Sequence, residues 1–237
     1  MKNLRIVLVV VFVVIFNAQF SNAQKKDSLM YQAYLLSSES LWESALNQYS
    51  SDVWSLDKAV AYYGLLNNTM VHSNEDKFDE YVDQALDYLE AMEQKGLHTA
   101  EVIAMRSSIY GFIMAYSPWK GMYYGPKSSD AIESALKTNS ESSIVKMVSG
   151  ISLFYTPESF GGDKKAAVEA FQQSLDLYEE QEYDGWLYLN TLANLGKAHQ
   201  AVGQNQEAIK VYEKALAIEP NFRWVSSKLL PDAKSSK

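Results

Sequence analysis

The sequence predicts an all-α chain of antiparallel helix pairs, about ten helices in all, with a short helix closing the C-terminus. Three observations predict it. First, an apolar or aromatic residue three positions before an Ala-Leu or Ser-Leu pair recurs five times. Trp42 precedes Ala45-Leu46, Val82 precedes Ala85-Leu86, Ile132 precedes Ala135-Leu136, Phe171 precedes Ser174-Leu175, and Tyr212 precedes Ala215-Leu216. The intervals between the pairs are 40, 50, 39 and 41 residues, a period at which one helix hairpin fits into each repeat. Second, the stretches between these markers carry apolar stripes at helical spacing. Val53, Leu56, Val60 and Tyr63 form one; Ile103, Met105, Ile109, Phe112 and Ile113 another; Ile144, Met147, Val148, Ile151 and Tyr155 a third. Third, no alternation of period two persists long enough to build a sheet. The expected order is one leading helix around Trp42, four helix pairs, and a closing helix near 222–230. An array of this kind needs capped ends, because each repeat buries only one face against its neighbour.

The clearest unit runs from Leu189 to Phe222. Its first half holds Leu192, Leu195, Gly196, His199 and Gly203, and its second half Ala208, Tyr212, Ala215, Leu216 and Pro220. Gly196 and Ala208 are small enough to let two helices approach, Tyr212 fills the space between them, and Pro220 ends the second helix. This 34-residue segment resembles a tetratricopeptide repeat, with His199 where the family usually has tyrosine. The resemblance implies a tetratricopeptide-like α-solenoid and a role in holding partners. The Gly161-Gly162-Asp163 turn is similar to one seen in some exported bacterial tetratricopeptide proteins, a group that includes components associated with periplasmic substrate transport.

The N-terminus reads as a secretory signal peptide over residues 1–23. Lys2 and Arg5 supply its positive region, Ile6 to Phe16 its apolar run, and Ser21-Asn22-Ala23 the small residues of a cleavage site. The apolar run is shorter than the roughly 20 residues that span a bilayer. Cleavage would leave a single helical-repeat domain, 24–237, without an integral membrane span, in the periplasm or secreted. The formal charge is −8; without Lys2 and Arg5 the chain has 19 basic and 29 acidic residues, or −10. That sign opposes binding to phosphate backbones and anionic lipid, so nucleic acid is not an expected partner. There is no cysteine, which excludes disulfides, thiolate metal sites, cysteine nucleophiles and the lipidation site of a bacterial lipoprotein.

Two connections read as longer than a hairpin turn requires, 116–127 and 155–163, and a third, 68–75, holds Met70 and His72. In an array of antiparallel pairs all three fall on one edge. Tyr116, Trp119, Tyr123, Tyr124 and Phe160 offer flat amphipathic surface there, and Lys120 and Lys127 offer cations in an acidic protein. The mixture suits a peptide, or a carboxylate-bearing or ring-shaped ligand. The same aromatics also suit plain packing beneath a longer loop, with Asp163 capping the helix that follows. On the concave side, Asn190, Ala193, Lys197 and Gln200 share one face of the first helix of the last repeat, where related repeats hold extended peptides. One lysine is too few for the carboxylate clamp that some of those use.

No motif for catalysis is present. His72, His98 and His199 fall in different repeats, and no His-x-x-x-His pair, Gly-x-Ser-x-Gly elbow or phosphate loop occurs. Acid pairs such as Asp79-Glu80 and Glu179-Glu180 lie on polar helix faces. The sequence therefore leads us to expect a non-enzymatic scaffold for a protein or peptide partner, with neither cofactor nor metal. The alternative is a periplasmic small-ligand carrier beside a transporter.

Overall fold

The computed structural model describes residues 28–235. The expected signal segment lies outside them. Among the described residues there are eleven α-helices and no strand. They form five antiparallel pairs and a cap: α1 (Leu29–Leu36) with α2 (Glu39–Leu46), α3 (Leu56–His72) with α4 (Glu75–Gln94), and α5 (Thr99–Tyr116) with α6 (Gly121–Thr138). Then come α7 (Ser143–Tyr155) with α8 (Lys164–Glu180), α9 (Trp186–Ala201) with α10 (Asn205–Ile218), and a π turn, Val225–Leu229, leading into α11 (Leu230–Ser235). Local chemistry sets most helix starts. Ser28, Ser38, Ser55, Asn74, Ser142 and Asp163 each accept a backbone N–H of the first turn through the side chain, satisfying donors that the helix itself cannot.

The five marker residues Ala45, Ala85, Ala135, Ser174 and Ala215 are all buried, so the repeat read from the sequence is the repeat that packs. Gly196 lies against Tyr212 so closely that a Cβ would stand 2.1 Å from the ring. Gly64 meets Trp42 in the same way, at 2.3 Å. No side chain fits at either place without moving an aromatic ring.

Two expectations need correction. The leading helix is a pair: α1 and α2 are eight residues each, joined by a reversal in which Ser37 takes φ 50°. Of the three long connections, those at 68–75 and 116–127 are mostly helix. α3 runs through His72, with Asn68 and Thr69 buried and Thr69 bonded back to the Leu66 carbonyl at 2.7 Å. After Tyr116 only Ser117 and a single 3₁₀ turn, Pro118–Lys120, intervene before α6 begins at Gly121. Gly121, Gly125 and Pro126 read as breakers, but packing overrides that bias. Ser107 on α5 and Ser128 on α6 bond to each other's backbone carbonyls at 2.8 and 3.0 Å. Tyr124 packs on Tyr110, ring centroids 5.3 Å apart.

The array closes on itself. α1 packs against α9, and the Tyr31 hydroxyl donates to Glu219 at 3.0 Å across 188 residues of sequence. Tyr34 lies 5.2 Å from Trp186 and 5.5 Å from Phe222 between ring centroids. Trp186 also meets Trp42 at 5.0 Å and Tyr63 at 6.0 Å, and Tyr63 stacks on Phe112 at 6.0 Å. Aromatic rings from the first three pairs and the last one thus meet in the interior of the curve.

Candidate functional site

The inner curve of a helical repeat is its usual binding surface, and here the chain's own first helix occupies part of it. Asn190 is 3% exposed, and its side-chain oxygen accepts the Tyr34 hydroxyl at 3.3 Å and the Asn194 amide at 3.2 Å. Gln200 accepts the hydroxyl of Tyr212 at 2.7 Å, which ties it to the α9–α10 interface. Ala193 is buried. Lys197 is partly exposed, and its ammonium donates to the Tyr155 hydroxyl. The concave residues expected to act together are therefore divided between closure, pair packing and one open corner.

The edge where first helices turn into second helices is different. Neighbouring turns touch in series along it. His72 Nε2 lies 2.7 Å from the Ser37 carbonyl, and the Tyr116 hydroxyl donates to the Thr69 carbonyl at 2.8 Å. Tyr116 is further fixed against Phe78, ring centroids 4.7 Å apart, and Tyr124 against Tyr110, so both are packing residues. Trp119 (78% exposed), Met122 (94%), Tyr123 (60%) and Phe160 (77%) are not packed down. Exposed apolar side chains of this size, gathered on one edge, mark interaction surfaces. Met122 is not among the residues the sequence points to, because its exposure follows from its place on the first turn of a helix where the glycine and proline pattern predicts a loop.

The cations of this edge stand over its rings. Lys120 lies 5.4 Å from the Trp119 centroid and Lys127 4.1 Å from that of Tyr123. The Tyr123 hydroxyl accepts from Lys127 at 2.6 Å and holds its ammonium above the ordinary lysine range. Beside Lys127 an open cleft of about 420 Å³ runs between α4, α5 and α6, lined among others by Glu90, Arg106, Tyr110 and Asp130. Arg106 is engaged there by Glu93 at 2.5 Å. The turn at 156–163 holds a 3₁₀ element, Glu158–Phe160, and Gly161 at φ 95°. Asp163 then accepts from the backbone of Lys165 and Ala166 at 2.8 and 3.0 Å, the cap expected from the sequence. Among the described residues no group of three or more His, Asp or Glu side chains is placed to hold a metal. No helix among them is long and apolar enough to cross a membrane.

Residues 161–220, which span α8, α9 and α10, match the tetratricopeptide repeat family model. This segment carries tetratricopeptide repeat sequence. Two solved structures share the helical-repeat fold. A thermophilic tetratricopeptide-repeat protein of Thermus thermophilus superposes with a TM-score of 0.57 at 17% identity, covering 87% of this chain and 95% of that one. The HusA haemophore of Porphyromonas gingivalis superposes with a TM-score of 0.53 at 19% identity, covering 70% of this chain and 84% of that one. At such identities the likeness concerns the fold. No curated protein matches the chain. Tetratricopeptide repeats generally mediate interactions between proteins.

Proposed function

We propose that this tetratricopeptide-repeat chain is an exported, non-enzymatic scaffold of the cell envelope that binds a protein or peptide partner along its aromatic edge. The observation that carries the reading is the contrast between the two surfaces. The inner curve is taken up by α1 and by rings that meet Trp186, whereas Trp119, Met122, Tyr123 and Phe160 stand in solvent. Export rests on the N-terminal pattern of Lys2, Arg5, the apolar run and Ser21-Asn22-Ala23. Lys120 and Lys127 beside the rings favour a partner segment that mixes apolar and acidic residues.

The test is a pull-down from envelope extracts with wild-type protein and with the triple variant Trp119→Ala, Met122→Ala, Phe160→Ala. All three residues are largely exposed, so the melting temperature should hold. Removing aromatic anchors from an interface commonly costs about 2 kcal/mol or more, so recovery of the partner should fall by about tenfold or further. Undiminished recovery by the folded variant would refute the edge as the docking surface.

A further inference from the structure

A second cluster lies at the open corner beside the closed curve, and it combines cations with rings in another way. α7 ends in Phe154 and Tyr155, their rings edge to face at 4.8 Å. Lys164 opens α8, Lys197 projects from α9, and Trp224 stands at the head of the terminal π turn. The Lys197 ammonium lies 4.9 Å from the Tyr155 ring, 5.5 Å from Phe154 and 5.6 Å from Trp224. Lys164 approaches the Phe154 ring to 5.2 Å and donates to the Phe154 carbonyl at 3.2 Å. Among the described residues neither lysine forms a salt bridge, a trait they share with Lys120 and Lys127, but these two converge on the same Phe154 ring.

We propose that Lys164, Lys197, Phe154, Tyr155 and Trp224 form a binding site for a small aromatic carboxylate. The sign of the ligand follows from the occupant of the cage. Three rings arranged around a point attract a cation, but Lys197 already places its own ammonium there, so a second cation is repelled and an anion is drawn in. A carboxylate accepting from Lys197 or Lys164 would supply the charged partner that neither has in a salt bridge. The flat part of the ligand follows from the walls. Tyr155 is 58% exposed and Trp224 36%, and both present ring surface that an aromatic ligand would cover by offset stacking. No residue of the triple variant above belongs to the site, although Phe160 lies in the turn that joins Tyr155 to Lys164; loss of naphthoate binding and loss of the protein partner are read out separately.

The probe is 2-naphthoate, titrated into the purified protein by isothermal calorimetry and followed by tryptophan fluorescence, with 2-naphthamide as the neutral analogue and cyclohexanecarboxylate as the non-aromatic one. Saturable binding of 2-naphthoate is expected, at least about tenfold tighter than either analogue. Lys197→Met should weaken it by about tenfold or more, and Lys197→Arg, which keeps the charge, should bind within a few-fold of wild type. Thermal melting of each variant shows that it is folded. The absence of saturable 2-naphthoate binding to the wild type would overturn the proposal. So would equal binding of 2-naphthamide, or a folded Lys197→Met protein that binds as the wild type does.

Discussion

Trp186→Ala is expected to destabilise the fold by about 3–5 kcal/mol, the usual cost of emptying a fully buried tryptophan site. The side chain is 0% exposed and touches rings from two distant repeats: Tyr34 and Trp42 in the first pair, Tyr63 in the second. Its indole N–H has no hydrogen-bond partner in the structure, so the loss is one of packing rather than of a polar contact. Helix contacts in a solenoid are mostly between neighbours, and Trp186 is where this array departs from that rule by joining its two ends. Chemical denaturation should therefore show more than a lowered midpoint. In the variant, limited proteolysis should cut between α1 and α3 before the last repeat unfolds, because α1 is only eight residues long and has little helical stability apart from its contacts. A variant that loses less than about 1 kcal/mol and keeps α1 protected would show that the closure contributes little.

The second large effect is alkaline unfolding. The hydroxyls of Tyr31, Tyr63, Tyr178 and Tyr212 belong to side chains that are nearly or fully buried, and burial pushes each well above the ordinary tyrosine value. In Tyr31 the hydrogen bond to Glu219 adds to burial. Below about pH 10 both folded and unfolded states hold these protons, and the stabilisation is complete. Above about pH 10 the unfolded chain ionises while the folded one stays protonated, so stability is lost as pH rises towards the folded values. Each such phenol removes about 1.4 kcal/mol per pH unit, and four together about 5–6. Against a typical domain stability of about 5–15 kcal/mol, unfolding should fall between about pH 11 and 12.5. Circular dichroism should be lost in one cooperative step, together with the part of the phenolate absorbance that belongs to the buried tyrosines. If the phenols all titrated near pH 10 while the helices persisted, the burial argument would be contradicted.

How much of this was legible depends on how far apart the contacting residues lie. The last repeat was readable because Gly196, Ala208, Tyr212 and Ala215 act within one hairpin and carry their spacing in the sequence. Gly64 performs the same close approach, but no local spacing marks it, since its partner Trp42 precedes it, in the second helix of the pair before. The first helix, α1, shows no repeat marker; it is held by Tyr31 to Glu219 and Tyr34 to Asn190, contacts that no local pattern announces. The same long-range contacts explain why Asn190, chosen for its helical face, is spent on closure. On the edge, residue type located the aromatics, but type alone cannot separate Tyr116 and Tyr124, which pack, from Trp119 and Tyr123, which stand out. Glycine and proline between Gly121 and Pro126 suggested a loop because their local bias is real; the Ser107–Ser128 and Tyr110–Tyr124 contacts outweigh it.

The most direct test of the edge as the partner-binding surface is site-specific photocrosslinking in the native cell. A benzophenone amino acid would be placed in turn at Trp119, at Phe160 and at the exposed Glu169 of α8. The account predicts one protein adduct shared by positions 119 and 160 and absent at position 169. Adducts at position 169 with none at 119 or 160 would place the partner elsewhere and contradict it.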